Sequence, residues 1–340
     1  MWRKQPTLWR VPPTTPAALD ELDRRIVAAL HVDGRATWRR IAAVLGQPER
    51  TVARRGNQLL EQGHVVIHGM ADPRRLGRGE QYLLRATCEP KASWSVTAAI
   101  ARRTETVFAH LLFGTADLVA DIWCPPHRVT ALFLQELAAI PGIARIDTLP
   151  VLRYVTTLHD WDFGALTQEE VAALREIPSA SPWPAPGSPV NLPKQDRMLI
   201  TALAEDGRRS YDELGRLCGL SEQTAKRRVE AMRRDGLVAI RAVTDPAAVG
   251  LPVGAIVWIQ SRPDRVETIA AELAAAPYVR YAAVLIGDYQ LVADIRLPDK
   301  QALQEVLAGA PWTRHARYLQ TSLIIDSLKQ SDILSGVLHS

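Results

Sequence analysis

The sequence repeats itself at a fixed distance of 173 residues, and that repeat is the strongest constraint on what the chain can fold into. Leu19, Asp23, Arg24, Leu30, Asp33, Gly34, Arg35 and Gly46 return as Leu192, Asp196, Arg197, Leu203, Asp206, Gly207, Arg208 and Gly219. Glu49, Thr51, Arg54, Arg55, Gly63, Val65, Ile67, Asp72, Pro73 and Gly77 return, without a gap, as Glu222, Thr224, Arg227, Arg228, Gly236, Val238, Ile240, Asp245, Pro246 and Gly250. The register persists through Pro90/Pro263, Gly114/Gly287, Asp121/Asp294 and Pro125/Pro298. The fold is therefore expected to be one plan built twice.

Each copy opens with helical spacing. Leu19, Leu22, Ile26, Val27 and Leu30 share one face of a first helix, which ends near Asp33 and Gly34. Thr37 is placed to cap a short second helix closed at Gly46, and a third runs from Pro48, in its first turn, to about Glu61. Residues 64–70 then read as a strand and Asp72 with Pro73 as a turn, which together make a winged helix-turn-helix. From Tyr82 the pattern changes to strands at 82–88, 107–113, 118–123 and 143–155, with helices near 92–102 and 128–139. That order, βαββαβ, is the ferredoxin-like split unit. Thr167, Glu169 and Glu170 favour the start of another helix over 167–177, and residues 178–189 form a proline-stiffened linker.

The second copy repeats the plan. Helices are expected near 195–204, 211–218 and 222–234, with Ser221 capping the third. The expected organisation is an arm (1–18), a winged helix-turn-helix (19–73), an α/β domain (80–158), the helix and linker (159–191), a second winged helix-turn-helix (192–246) and a second α/β domain (252–330). The fold class is α+β.

A chain of 340 residues with 47% hydrophobic and 23% charged residues has a globular balance. It contains no run of eighteen apolar residues, and its basic N-terminal stretch lacks an apolar core, so neither a membrane span nor a signal peptide is expected and a cytoplasmic location is. Cys88, Cys124 and Cys218 are odd in number and set in apolar pattern, as buried thiols are in a reducing compartment. The net charge of +4 makes the chain no polycation, so an interaction with nucleic acid must rest on local clusters. Residues 221–234 carry a local +3 from Lys226, Arg227, Arg228, Arg233 and Arg234 against Glu222 and Glu230, and residues 48–58 a local +2.

The third helix of a helix-turn-helix enters the major groove with its N-terminal turns, where Arg, Lys, Gln and Thr read base edges or grip phosphates. The candidates are Arg50, Thr51, Arg54 and Arg55 in the first copy and Gln223, Thr224, Lys226, Arg227 and Arg228 in the second. An isolated basic helix is more often a solvated face. Two such helices, each third after a glycine-closed turn, favour double-stranded DNA. Arg55 or Arg228 has an alternative use in a local ion pair.

These residues resemble the Lrp/AsnC family of bacterial and archaeal regulators. LDELDRRIVAALHVDGRATWRRIA and QDRMLITALAEDGRRSYDELG are similar to the family's opening segment, and GLSEQTAKRRVEAMRRDGLVAIRAVTDPAAVG to its recognition helix and strand. FGTADLVADI, IGDYQLVADI and RHARYLQTSLIIDSLK resemble the loop and strands of its α/β (RAM-type) ligand-sensing domain. The resemblance covers about residues 19–155 and 192–329. It implies that Gly114, Thr115, Ala116 and Asp117, with Gly287, Asp288, Tyr289 and Gln290, bind an amino acid or similar small effector at α/β-domain interfaces. Read as turn chemistry alone, Gly-x-x-Asp is a hairpin. Two departures stand out: Gly56, where the second copy has Val229, predicts a first recognition helix that is looser or reads DNA less specifically, and Gln290, where the first copy has Asp117, predicts chemically unequal loops.

Catalytic motifs are lacking: the histidines are scattered, no His/Cys set has zinc spacing and no phosphate loop occurs, so neither a metal nor a cofactor is expected. The same architecture also serves sirohaem decarboxylases, whose His-Asn-Tyr type of strand motif is not matched by FAHLLFG or YAAVLIG. A DNA-binding regulator is therefore expected, with a tetrapyrrole enzyme as the alternative and an oligomerising scaffold as the third reading. The resemblance to a family whose single-module members join the sheets of two α/β units implies that residues 82–155 and 253–328 pair within one chain as a pseudo-dimer, and chains are expected to associate further as dimers or tetramers.

Overall fold

The computed structural model describes residues 19–157, 161, 163–175, 189–330 and 333–334. The expected N-terminal arm and most of the proline-rich linker lie outside the described residues. In chain order the first copy holds α1 (Glu21–Val32), α2 (Trp38–Leu45), α3 (Glu49–Glu61), β1 (Val65–Ala71), β2 (Glu80–Cys88), α4 (Ser93–Ala101), β3 (Thr106–Phe113), β4 (Leu118–Cys124), α5 (Val129–Ala131), β5 (Ile143–Thr156) and α6 (Gln168–Leu174). The second holds α7 (Lys194–Glu205), α8 (Tyr211–Cys218), α9 (Glu222–Arg234), β6 (Val238–Thr244), β7 (Val253–Ser261), α10 (Val266–Ala274), β8 (Val279–Leu285), β9 (Leu291–Leu297), α11 (Lys300–Gly309) and β10 (Ala316–Gln330), with a two-residue β11 (Ile333–Leu334). The fold is of mixed α+β class. The chain divides into two compact units, residues 17–77 with 164–249 and residues 78–163 with 250 onward.

The first unit joins both helix-turn-helix copies. Caps set the helix starts: the side chains of Asp20, Thr37, Ser210 and Ser221 each accept an amide hydrogen bond from the third helical residue. Gly46 and Gly219 close α2 and α8 in the left-handed conformation, with φ of 63° and 67°, which turns the chain into the third helix. Pro48 stands just before α3 and supplies no side-chain cap. The single strand of each head does not fold back as a private wing. Instead β1 pairs antiparallel with β6 over seven residues, from Val65 opposite Thr244 to Ala71 opposite Val238. Helix α6 opens with a capping box between Thr167 and Glu170 and packs on the first head, where Glu170 takes an ion pair from Arg25.

In the second unit the two ferredoxin-like halves share one sheet. Its order is β11-β10-β3-β4-β2-β5-β8-β9-β7, and β10 also pairs with β7, so eight strands close into a ring. The long strands β5 and β10 make the closure. β5 pairs with β2 of its own half and then with β8 of the other. β10 pairs first with β7 and then with β3. Outside the ring, α4 and its neighbours cover one apolar core and α10 and α11 another, while Leu83, Phe108, Leu112, Ile256, Trp258, Tyr281 and Tyr289 fill the interior. The expected regular helix over 128–139 is instead a 3-10 turn (Pro126–Arg128), the single turn α5 and a π-helical segment (Leu132–Leu137). Pro125 and Pro126 withhold two amide donors at its start, and the wider turn buries Leu132, Phe133 and Leu137 together.

Candidate nucleic-acid interface

Helices α3 and α9 bury the same face. Val52, Gly56 and Leu59 turn inward on α3, and Ala225, Val229 and Met232 on α9. The opposite faces leave Arg50, Arg54, Gln223, Lys226 and Arg227 exposed and Thr51 and Thr224 half-buried. Thr224 is also tied to the cap, its hydroxyl accepting from Ser221 at 2.8 Å. Lys226 lies 3.9 Å from Glu230, an exposed pair too weak to withhold its charge from another partner.

Arg55 and Arg228 depart from the expectation of free DNA-reading cations. Arg55 bonds Asp20 and lies 3.0 Å from Asp23, and its counterpart Arg228 lies 2.7 Å from Asp196. Each guanidinium thus ties the third helix of its head to the first, and the hydrogen bond from Arg55 holds the Asp20 carboxyl below its ordinary pKa. Both arginines make the local ion pair, where the sequence suggested that one would. Gly56 likewise leaves no hole: a β-carbon there would overlap the Trp38 ring, so the indole supplies the core atoms that the glycine lacks.

The heads are joined by two residues that helix-turn-helix spacing alone does not single out. Arg35 donates to the carbonyls of Gly207 (2.8 Å) and Arg209 (3.0 Å) and stacks on Tyr211 with its guanidinium carbon 4.4 Å from the ring centroid. Arg208 donates to those of Gly34 (3.2 Å) and Ala36 (3.5 Å) and stacks on Trp38 at 4.5 Å. Burial, with the nearby Arg35 charge, lowers the Arg208 pKa. Their signal in the sequence is an arginine followed three residues later by an aromatic ring, at the same place in both copies.

The expected effector loops are partly closed by their own side chains. Asp117 accepts from the Cys88 amide at 2.8 Å and the Ser93 hydroxyl at 3.3 Å. Gln290 accepts from the Ser261 amide, the repeat equivalent of Cys88, at 2.9 Å. Both side chains accept the equivalent amide, yet the loops stay chemically unequal: Asp117 also takes the Ser93 hydroxyl, whereas the neutral Gln290 donates its Nε2 to the Gly287 carbonyl at 3.2 Å. Ala116 and Tyr289 are buried, whereas Gly114, Thr115, Gly287 and Asp288 are exposed. Gly114 packs on Ser322 and Gly287 on Leu149, positions again 173 apart.

Inside the ring, His110, Arg280, Asp294 and Arg296 are all buried. Arg296 grips both oxygens of Asp294, at 2.8 and 3.1 Å, in space that Gly254 leaves open. Burial works against the Asp294 carboxylate, yet Arg296 and Arg280 keep its pKa below the ordinary value. Burial, reinforced by the Arg296 charge, pushes the His110 imidazole down to about 3, so it is neutral at physiological pH. Among the described residues no set of three His, Cys, Asp or Glu is placed to hold a metal ion, and no helix is long and apolar enough to cross a membrane.

Comparison with known proteins agrees with this architecture. The AsnC-type helix-turn-helix domain model matches residues 19–60 and 194–233, and the Lrp/AsnC ligand binding domain model matches residues 254–334. An HTH-type transcriptional regulator of Pyrococcus abyssi is 29% identical over 119 residues, 35% of this chain and 75% of the relative. The regulator FL11 of Pyrococcus horikoshii is 28% identical over 119 residues, 35% of this chain and 79% of the relative. LrpA of Pyrococcus abyssi is 23% identical over 117 residues, 34% and 83% of the two chains. The solved siroheme decarboxylase NirDL is 13% identical with a TM-score of 0.60 over 93% of this chain and 94% of that one, a likeness of fold. Two segments of the chain thus match the AsnC-type helix-turn-helix domain and one matches the Lrp/AsnC ligand binding domain, an arrangement consistent with a tandem duplication of the Lrp/AsnC plan.

Proposed function

We propose that the chain is a transcriptional regulator that binds double-stranded DNA through α3 and α9. The observation that carries this reading is the pair of third helices with cationic exposed faces: Arg50 and Arg54 on one, and Lys226 and Arg227 with Gln223 on the other. Because the two faces differ in residue type, the two half-sites of the operator differ too. One chain supplies both heads, so the operator has a direction. A small effector, an amino acid or a related carboxylate, binds at the α/β unit near the exposed Gly114, Thr115, Gly287 and Asp288 and shifts DNA affinity by a coupling of about 1 to 3 kcal/mol. Chains associate into dimers or tetramers, multiplying the heads. The test is DNA affinity measured across salt concentrations for Lys226→Ala and Arg227→Ala. Removing a side chain that reads a base costs about 1 to 3 kcal/mol at one position of the site, and removing one that grips a phosphate flattens the salt slope by about 1. Unchanged binding in the double variant contradicts the role of α9.

A second reading, a tetrapyrrole decarboxylase, is favoured by the whole-chain likeness of fold to NirDL. It predicts that the purified protein binds added sirohaem and converts it, with the change followed by absorption. DNA binding without either effect removes it.

A further inference from the structure

We propose that Arg35 and Arg208 set the spacing at which the two heads of one chain read DNA. This rests on the reading of α3 and α9 as recognition helices. The arginines occupy equivalent places in the loop before the second helix of each head, and each reaches into the other head's loop. The guanidinium fork takes two carbonyls, Gly207 and Arg209 for Arg35, Gly34 and Ala36 for Arg208, while its face lies on an aromatic ring. Only a planar cation can do both at once.

The ring each arginine covers is the first residue of the other head's second helix, Tyr211 of α8 or Trp38 of α2. In the first head the path to the recognition helix is continuous: Arg208 lies on Trp38, and the Trp38 indole sits in the slot that Gly56 opens on α3. Arg208 thus covers one part of the ring whose edge packs against α3. Backbone hydrogen bonds hold the same loops to the shared ribbon, Gly34 donating to Ile240 at 2.9 Å and Gly207 to Ile67 at 2.8 Å. A further bond crosses between heads from Arg233 on α9 to the buried Asp33 at 2.7 Å, and it has no counterpart from α3, where position 60 is Leu60. Strand twist is larger in two-stranded ribbons than in wide sheets and spans a range. Beside these bonds, the arginine exchange braces the heads loop to loop, away from the ribbon.

The experiment uses the full chain and DNA duplexes carrying its selected site, with the spacer between half-sites lengthened or shortened by one, two or three base pairs. Each added pair moves the second half-site by about 3.4 Å and turns it by roughly a tenth of a helical turn. The native protein is expected to lose at least about tenfold in affinity for a spacer changed by two pairs, as much as a mismatched base costs. Arg35→Gln with Arg208→Gln is expected to reduce that discrimination to within about threefold while leaving affinity for a single half-site unchanged, an outcome that a loss of stability alone does not produce. Arg208→Lys, which keeps the charge and removes the fork, is expected to relax spacing in the same sense and serves if the double variant does not fold. A native protein indifferent to spacing overturns the proposal, as does a variant with the native spacing profile. A native protein that binds no DNA overturns the recognition-helix reading itself, and the proposal with it.

Discussion

The indole of Trp38 occupies the place of the side chain that Gly56 lacks, its Cη2 and Cζ3 atoms lying nearest to where a β-carbon at position 56 would stand. The glycine makes room for the ring, and α3 buries Val52, Gly56 and Leu59 where α9 buries Ala225, Val229 and Met232. Gly56→Val is expected to destabilise the protein by about 1 to 3 kcal/mol through overpacking. Combining it with Trp38→Tyr, which copies the Tyr211 and Val229 combination of the second head, is expected to recover at least half of the loss. Denaturant unfolding of the single and double variants measures both.

Arg55 and Arg228 serve the helix-turn-helix fold from within. Arg55→Ala and Arg228→Ala are each expected to lower stability by up to about 1 kcal/mol, the range for partly exposed ion pairs. Both substitutions are expected to leave the salt dependence of DNA binding unchanged. Thermal unfolding beside a salt titration of DNA affinity separates the two effects, and a flattened salt slope would return these residues to the DNA surface.

Much of this was legible in the sequence, for reasons that particular residues make plain. Helix and strand order followed from local periodicity and from caps such as Thr37, Ser221 and Gly46, whose action is confined to a few residues. The pairing of the two α/β units was expected from the family resemblance, whereas the closure of their sheet through β10 and β7 was not. The partners of Arg55 were less visible, although Asp23 and Asp196 repeat in step with Arg55 and Arg228. Opposite charges 32 residues apart on different helices meet only after the helices pack. The Trp38 and Gly56 fit is a match of shapes between two helices, and periodicity within either does not express it. The π-helical segment at Leu132–Leu137 carries no sequence signature apart from the prolines that precede it.

The buried His110 makes stability depend on pH. An unfolded histidine takes up its proton near pH 6.5, whereas His110 in the folded chain does so near pH 3. Between these values the unfolded state binds more protons, so its share of stability is full above about pH 6.5 and falls by about 1.4 kcal/mol per unit as the solution is acidified. His110→Gln is expected to remove that part of the slope. Urea unfolding at pH 7 and pH 5 is expected to show native protein losing about 2 kcal/mol more than the variant over this interval.

Asp117 secures the loop after β3 by accepting the Cys88 amide. Asp117→Ala is expected to cost about 1 to 2 kcal/mol by leaving that donor unmatched, and Asp117→Asn, which keeps an oxygen in place, well under half as much. Unfolding free energies of the two variants give the comparison.

DNA recognition by two unlike heads is tested most directly by selecting binding sites with the purified full-length protein from random or genomic DNA, followed by sequencing. The expected result is an enriched site with two unlike half-sites at one spacing, abolished when Lys226 and Arg227 are both replaced by Ala. Motif-free binding, or a site that survives that replacement, would contradict it.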